Sequence, residues 1–208
     1  MSLKYYIAIF FIPLSAENVL LIHPHASSRV VHHTYEWDLT YKAAIEFQEL
    51  WEQFCPHWKS LVTPLSYAKL PPYDTISFIN TRRPSYCIIF SFYEYTQGVA
   101  AVRLYYPYYE QQDHFTSSST SLSFVPYQYG YRKNTLSAQK LTLFLQEKLL
   151  ISQNNFKTFA YKRAPLKIGI GLEAPTILIE IGINSLSTIT FVLTTLAHIL
   201  QDVLMEEF

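Results

Sequence analysis

Glycine is scarce in this chain, and none of its five glycines precedes Gly98. Phosphate-binding loops need several glycines because the backbone must approach the phosphate closely. A glycine-rich nucleotide-binding loop is therefore excluded from the first half of the chain. Cysteine is scarcer still. Cys55 and Cys87 are too few and too far apart for a zinc knuckle, and we expect two buried thiols rather than a disulfide.

An excess of charge of either sign is also missing. Sixteen basic and sixteen acidic residues give a formal net charge of zero, and no basic stripe is present. The sequence therefore gives no indication of a nucleic-acid partner. Half of the 208 residues are apolar, which is enough for the core of one ordinary domain. No repeat or linker divides the chain.

The first sixteen residues permit two interpretations. Lys4 precedes a long apolar run and two small residues follow it, as in a secretory signal peptide. The same residues are typical of a β-strand ended by Pro13. We expect a periplasmic or secreted protein in the first case and a cytoplasmic one in the second. The run is too short to span a bilayer, and we predict no transmembrane helix and one folded domain over residues 17–208.

Apolar runs and helical spacing predict alternating strands and helices. The predicted strands are Asn18–Ile22, Leu61–Val62, Tyr86–Tyr93, Val99–Tyr106, Leu166–Ile170 and Thr176–Ile181, and the predicted helices are Glu36–Phe54, Thr75–Asn80, Ser137–Ile151 and Ser187–Glu207. Pro107–Asn134 is predicted as a long loop or flap that covers or binds something. The alternation predicts an α/β fold, with a mainly parallel twisted sheet and helices on both faces.

One predicted strand carries an acid where apolar residues are expected. Glu180 lies inside the run Ile177–Ile183, which has the composition of a fully buried parallel strand. A carboxylate in such a run is costly unless it has a partner or a function. Open α/β sheets bind ligands at the carboxyl ends of their strands. Glu180 is therefore the first candidate for a site residue.

Four local sequences, in this order, resemble the zinc-dependent N-acetylmuramoyl-L-alanine amidases of bacterial cell-wall turnover. The family opens with a strand and an I-D-P-G-H-G-G loop, where this chain has Ile22–Ser28 (I-H-P-H-A-S-S). Glu36 matches the glutamate that begins the next helix. Ser91–Tyr95 (S-F-Y-E-Y), followed by Gly98-Val99, matches a strand that ends S-I-H-A-N before G-V. The most specific match is Pro175–Ser185 (P-T-I-L-I-E-I-G-I-N-S), which resembles P-x-x-L-V-E-x-G-F-x-S-N.

The resemblance implies a phosphorylase/hydrolase-like α/β fold and a particular site. In that family two histidines and a glutamate hold zinc, and a second glutamate handles protons. Glu36 matches the ligand glutamate and Glu180 the catalytic one. A gapless alignment places Ala26 and Tyr93 where the two histidines belong. The resemblance therefore implies a degenerate zinc site, for which we expect no cofactor.

Four histidines lie close together in the first loop region, so a rebuilt zinc site is an alternative. His25 is one residue from a ligand position, and a shift of the loop would bring it to a metal held by Glu36. The further candidates are His23, His32 and His33, of which the last would lie one helical turn from Glu36 if the helix began early. The simpler interpretation is that all four are solvated loop residues. Glu180 would then be paired with a nearby arginine, tyrosine or histidine.

A second family offers an alternative. The N-formylglutamate amidohydrolases carry a P-H-x-G loop that Pro24–Ser27 resembles, which would make His25 a ligand without any shift. Their later aspartate-histidine motif is absent here, and the match of Pro175–Ser185 favours the muramoyl amidases.

The sequence therefore predicts an amidase-like pseudoenzyme of bacterial cell-wall metabolism that acts by binding or regulation. Peptidoglycan fragments or a cell-envelope protein are the expected partners. One alternative is an active metal-dependent hydrolase that cleaves the muramoyl-peptide amide with a relocated histidine. The others are an enzyme like the N-formylglutamate amidohydrolases and a structural protein within a larger assembly.

Overall fold

The computed structural model describes residues 18–68, 70–108, 134–152, 156–159, 161–164, 166 and 171–206. The predictions for residues 1–16 and for most of the segment Pro107–Asn134 lie outside the described residues. Residues 167–170 of one predicted strand also lie outside them, and Leu166, with which that strand was predicted to begin, is not part of a strand.

Strands and helices alternate along the described chain. The strands are β1 (Val19–Pro24), β2 (Val30–Val31), β3 (Thr34–Tyr35), β4 (Lys59–Val62), β5 (Tyr86–Glu94), β6 (Ala100–Pro107), β7 (Phe156–Thr158), β8 (Lys162–Ala164) and β9 (Thr176–Ile183). The helices are α1 (Glu36–Phe54), α2 (Leu65–Ala68), α3 (Pro72–Thr81), α4 (Thr135–Ile151) and α5 (Ile189–Glu206), the last preceded by a 3-10 turn at Leu186–Thr188.

A seven-stranded sheet forms the centre of the molecule. Its order is β4-β1-β5-β9-β6-β7, and β8 also pairs with β6. Strands β4, β1, β5 and β9 are parallel to one another, whereas β6 runs antiparallel to β9 and parallel to β7 and β8. Every residue of β1 is buried, as in a strand covered on both faces. The prediction of a mainly parallel α/β sheet is confirmed.

Helices cover both faces of this sheet. Helices α1, α4 and α5 pack on one face and form the larger core, which contains Phe47, Trp51 and Phe90. Helix α3 packs on the other face, where Ile76 and Ile79 meet apolar side chains of β1 and β5. Successive strand residues point to opposite faces, so Ile88, Phe90 and Phe92 of β5 face the larger core and Ser91 faces the other side.

Helix α5 and the turn before it are strongly apolar. By length and composition alone, Leu186–Met205 could cross a membrane, but 56% of that window is buried inside the molecule. Its side chains Val192, Leu196 and Val203 belong to the larger core, against α1 and α4. A core helix of an α/β domain passes the same test of length and composition.

Both cysteines are buried and free, as expected. Burial raises the pKa of Cys55 to about 11 and that of Cys87 to about 12. Neither thiol is therefore ionised near neutral pH, and neither provides a nucleophile or a thiolate ligand.

Candidate functional site

One row of side chains crosses the sheet toward the carboxyl ends of β5 and β9. In the strand register, Ser91 lies beside Glu180, and Glu180 lies beside Arg103 of β6. His25 follows β1 directly and extends this row, because its backbone N–H donates to the carbonyl of Phe90 at 3.0 Å. Register partners point to the same face of a sheet. We call His25, Ser91, Glu180 and Arg103 the site row.

Glu36 begins α1, and its buried carboxylate is held by the chain itself. Arg29 donates from Nε to Oε2 at 2.9 Å and from Nη2 to Oε1 at 3.1 Å. The hydroxyl of Ser91 donates to Oε1 at 2.6 Å, and the backbone N–H of Phe92 donates to the same oxygen at 3.0 Å. Both carboxylate oxygens therefore have donors, and a bidentate guanidinium neutralises the charge.

This ion pair is charged on both sides near neutral pH. Burial alone would raise the pKa of Glu36, but the hydrogen bonds from Arg29, Ser91 and Phe92 outweigh it and hold that pKa below its usual value. The hydrogen bond to Glu36 also raises the pKa of Arg29. The Arg29 side chain is 47% exposed and that of Glu36 is 0% exposed, so the guanidinium covers the carboxylate on the solvent side.

Glu36 lies at the start of its helix, as the resemblance implies, and its carboxylate contacts Ser91 and Phe92 of β5. Arg29 was not singled out at all. The signal that points to Arg29 is its position in the same loop, seven residues before an acid that begins a buried helix.

The residues present do not fit a zinc ion. Among the described residues, no group of three or more histidine, cysteine, aspartate or glutamate side chains is placed to hold a metal. Both carboxylate oxygens of Glu36 accept hydrogen bonds from Arg29, Ser91 and Phe92, with a cation already in place. Ala26 offers no donor atom. Zinc sites need three or four such donors.

His23 is the first of the four loop histidines and lies inside β1. It is only 2% exposed, so the interpretation that all four histidines are solvated loop residues is wrong for this one. Burial lowers the pKa of His23 to about 3, and the neighbouring His25 adds to the effect. Its Nδ1 has no hydrogen-bond partner among the described residues.

His25 is exposed at the edge of the site row. Desolvation lowers its pKa, with Glu36 and Glu180 opposing this effect and Arg29 adding to it. The ring therefore lies within electrostatic reach of Glu36, Arg29 and Glu180, and it is the one loop histidine for which we find such a relation to both glutamates.

His32 and His33 form the turn between β2 and β3. Both have positive φ angles, 46° and 64°. The backbone N–H of His32 donates to Glu94 at 2.8 Å, and its Nε2 lies 2.9 Å from the carbonyl oxygen of Ile183. The alternative that His33 lies one helical turn before Glu36 is wrong, because α1 begins at Glu36 and His33 lies in the turn.

Glu180 is paired with an arginine and a tyrosine. Nη1 of Arg103 donates to Glu180 Oε2 at 3.2 Å, and the hydroxyl of Tyr105 donates to the same oxygen at 3.3 Å. The guanidinium of Arg103 also lies over two rings, 4.4 Å from the centroid of Tyr93 and 4.9 Å from that of Phe159. Arg103 and Tyr105 are therefore site residues that the sequence analysis missed.

Tyr93 lies directly over Gly182, its register partner on β9. A Cβ atom at Gly182 would lie 2.5 Å from Cζ and 2.7 Å from the hydroxyl oxygen of Tyr93, so glycine is required here. Burial raises the pKa of Tyr93 to about 12, against the opposing effect of Arg103. The phenol is therefore neutral near pH 7, and a neutral phenol is a poor substitute for a histidine ligand.

Comparisons with known proteins agree with this architecture. No protein-family model and no curated protein matches the chain. Solved structures do match. An N-acetylmuramoyl-L-alanine amidase from Clostridium difficile 630 superposes with a TM-score of 0.59 at 12% identity, over 91% of this chain and 95% of that chain. The catalytic domain of CwlV, an N-acetylmuramoyl-L-alanine amidase from Bacillus (Paenibacillus) polymyxa var. colistinus, has a TM-score of 0.60 at 11% identity, over 91% and 97%.

A third match is the CwlD amidase from Clostridioides difficile, solved in complex with the GerS lipoprotein. Its TM-score is 0.57 at 13% identity, over 91% of this chain and 97% of that chain. At such identities the likeness shows the fold. The chain has the fold of the N-acetylmuramoyl-L-alanine amidases, and the fold that the sequence resemblance implied is confirmed. The roles of Glu36, Glu180 and His25 remain predictions.

Proposed function

We propose that this protein is an amidase-like component of bacterial cell-wall metabolism that lacks the zinc site of its fold and acts by binding or regulation. The ion pair between Arg29 and Glu36 is the observation that carries this proposal. The carboxylate that would hold the metal is neutralised by a guanidinium instead. A guanidinium keeps its protons at any physiological pH and cannot generate hydroxide from water as zinc does.

Peptidoglycan fragments and a cell-envelope protein are the proposed partners. The amidase fold supports the first, because the site row lies where sheets of this class bind ligands. The complex of CwlD with a lipoprotein supports the second by analogy. A periplasmic or secreted location goes with either partner and forms part of the proposal.

One observation favours an active metal-dependent amide hydrolase as the competing function. His25 lies within electrostatic reach of Glu36 and Glu180, so it is the histidine that a rebuilt site would use. That site would require Arg29 to release Glu36 and the loop to shift. The competing function therefore predicts a second arrangement of the loop in the presence of zinc.

Metal analysis of the purified full chain, combined with two assays, tests the proposal. We expect no zinc near one equivalent, no cleavage of a muropeptide, and measurable binding of soluble peptidoglycan fragments. Near-stoichiometric zinc that disappears in His25→Ala, together with cleavage, would establish the competing hydrolase. If the protein bound neither peptidoglycan fragments nor an envelope protein, the binding role would be contradicted.

A further inference from the structure

At and beside the site row, each arginine side chain is more exposed to solvent than the glutamate with which it is paired. Arg29 is 47% exposed above a carboxylate that is 0% exposed. Arg103 is 38% exposed beside Glu180, which is 17% exposed. Each carboxylate is thus held beneath or beside its guanidinium. A ligand that approaches from solvent meets positive charge first, although the four charges sum to zero.

Both guanidinium groups retain unused N–H groups. A guanidinium has five N–H donors. Arg29 uses Nε and Nη2 on Glu36 and Ser91, and its Nη1 has no partner among the residues described. Arg103 donates from Nη1 to Glu180 and also hydrogen-bonds the hydroxyl of Tyr105, so these two partners occupy only part of its five N–H groups. Unused donors on an exposed guanidinium are available to a second oxyanion.

The two guanidinium groups are held in place before any ligand arrives. The bidentate bond to Glu36 fixes the plane of Arg29. The guanidinium of Arg103 lies over the rings of Tyr93 and Phe159 and is bonded to Glu180, contacts that restrict its movement. Arginines fixed in this way lose little side-chain entropy on binding, which strengthens the recognition of planar carboxylates.

The sheet register brings both arginines to one site. Arg29 donates to Ser91 at 3.2 Å, and Arg103 stands two strands away from Ser91 in the same row, with Glu180 between them. Adjacent strands are about 4.8 Å apart, so the backbone positions of Ser91 and Arg103 are separated by about 10 Å. A peptide of two residues has the length to reach from one arginine to the other.

We propose that Arg29 and Arg103 form a binding site for a carboxylate-bearing peptide, with Nη1 of Arg29 and the free N–H groups of Arg103 as donors. His25, an exposed residue, lies at the same edge, and the rings of Tyr93 and Phe159 contact the guanidinium of Arg103. The carboxylate site stands on the two arginines alone. The origin of the peptide in the cell wall rests on the proposed function.

Calorimetric titration of the full chain with N-acetyl-L-alanyl-D-glutamate tests the site. The matched probe is the diamide of the same dipeptide, which has the same shape without the charges. We expect the diamide to bind about tenfold more weakly or not at all, because charge-assisted hydrogen bonds are lost. Inorganic phosphate serves as a second oxyanion, and its binding with equal affinity would overturn the assignment to carboxylates.

Two variants probe the arginines directly. We expect Arg103→Gln and Arg29→Lys each to weaken binding of the dipeptide by about tenfold, since each removes part of a fixed donor fork. Arg29→Lys keeps a positive charge beside Glu36 and so protects the fold. Arg82→Gln is the matched control, because Arg82 stacks on Phe78 at 5.0 Å but precedes β5, at the opposite end of that strand.

The outcomes separate this inference from the proposed function. Unchanged affinity in Arg103→Gln, or equal affinity for the dipeptide and its diamide, would overturn the carboxylate site. Peptidoglycan fragments that bind to Arg103→Gln with unchanged affinity would overturn the cell-wall origin of the peptide, while the proposed function stands. Binding of the dipeptide that depends on Arg103, without any binding of peptidoglycan fragments, would support the site and contradict the proposed function.

Discussion

At the scale of single residues, a fully buried carboxylate such as Glu36 depends on its counter-charge. In Arg29→Ala, the donors Ser91 and Phe92 remain but the positive charge is lost. We expect the free energy of unfolding to fall by about 1–3 kcal/mol near neutral pH. The loss stays below that of a fully buried pair because the Arg29 side chain is 47% exposed.

Urea unfolding of a double-mutant cycle measures this coupling. Glu36→Gln removes the charge that Arg29 neutralises, so Arg29→Ala should cost much less in that background. An equal cost in both backgrounds would show that Arg29 contributes packing rather than charge. Lys42→Ala is a suitable reference, because the bridge from Lys42 to Asp38 is largely exposed and is expected to contribute little.

His23 should make the protein sensitive to mild acid. Its pKa is about 3 in the folded chain and 6.5 for an ordinary histidine, so the unfolded chain binds the proton first. Stability is then complete above about pH 6.5 and falls as the pH drops toward 3. We expect a loss of about 2 kcal/mol between about pH 7 and pH 5, at 1.4 kcal/mol per pH unit below 6.5.

The variant His23→Leu isolates that effect. Its unfolding free energy should fall by about 2 kcal/mol less than that of the parent chain between about pH 7 and pH 5 in urea titrations. The dependence that remains includes that of His25, whose pKa burial also lowers. His57→Gln, at an exposed position, should behave like the parent chain. Glu36 acts in the same direction but at lower pH, because its depressed pKa lies below the usual 4.5. The same loss of stability in His23→Leu as in the parent would refute the assignment.

At the scale of secondary-structure elements, the contact between β5 and β9 depends on the pair Tyr93 and Gly182. We expect Gly182→Ala to lower the free energy of unfolding by about 1–3 kcal/mol, because the new methyl group overlaps the Tyr93 ring. In a Tyr93→Ala background the overlapping atoms are absent and the cost should nearly vanish. Thermal or urea unfolding of the parent chain, the two single variants and the double variant measures the cost of Gly182→Ala in both backgrounds. The same cost in both would show that the strain lies in the backbone and not in the contact with Tyr93.

The long elements could be predicted from the sequence, whereas the short ones could not. Helix α1 and strands β5 and β9 carry strong helical spacing or apolar runs that fix their type. Strands β7 and β8 have three residues each and exist because they pair with β6, which no local pattern indicates. The turn at His32 and His33 requires positive φ angles, which histidine adopts more often than most residues but too rarely to predict a turn.

The two acidic residues of the site could be predicted from the sequence, but its two arginines could not. Glu180 is recognisable because an acid inside a buried strand is costly, and Glu36 is recognisable because it matches the glutamate that begins a helix in the family that the sequence resembles. Arg103 faces Glu180 only because β6 inserts antiparallel beside β9, and that register is not written in the sequence of either strand. Arg29 reaches Glu36 through the conformation of a loop, which the sequence leaves undetermined.

At the scale of the whole molecule, the fold should be independent of metal. A ligand that binds the native state raises its stability. Because Arg29 already occupies Glu36, we expect the same unfolding midpoint in excess EDTA and in excess zinc, measured by thermal unfolding. An upward shift with zinc that is lost in Glu36→Gln would contradict this expectation. A zinc effect that survives in Glu36→Gln would locate the metal elsewhere in the chain.

The contact of Tyr93 with Gly182 also restricts how this sequence can change over generations. If histidine replaced Tyr93 first, the contact of the Tyr93 ring with Gly182 would be lost. Arg29 would still be bonded to Glu36, so no metal could compensate for that loss. Loss of Arg29 first would leave Glu36 without a counter-charge. Each of these two substitutions lowers stability before a metal is bound, and selection removes chains that fall below the stability threshold. Descent from this sequence to a zinc enzyme would require several substitutions to become fixed together.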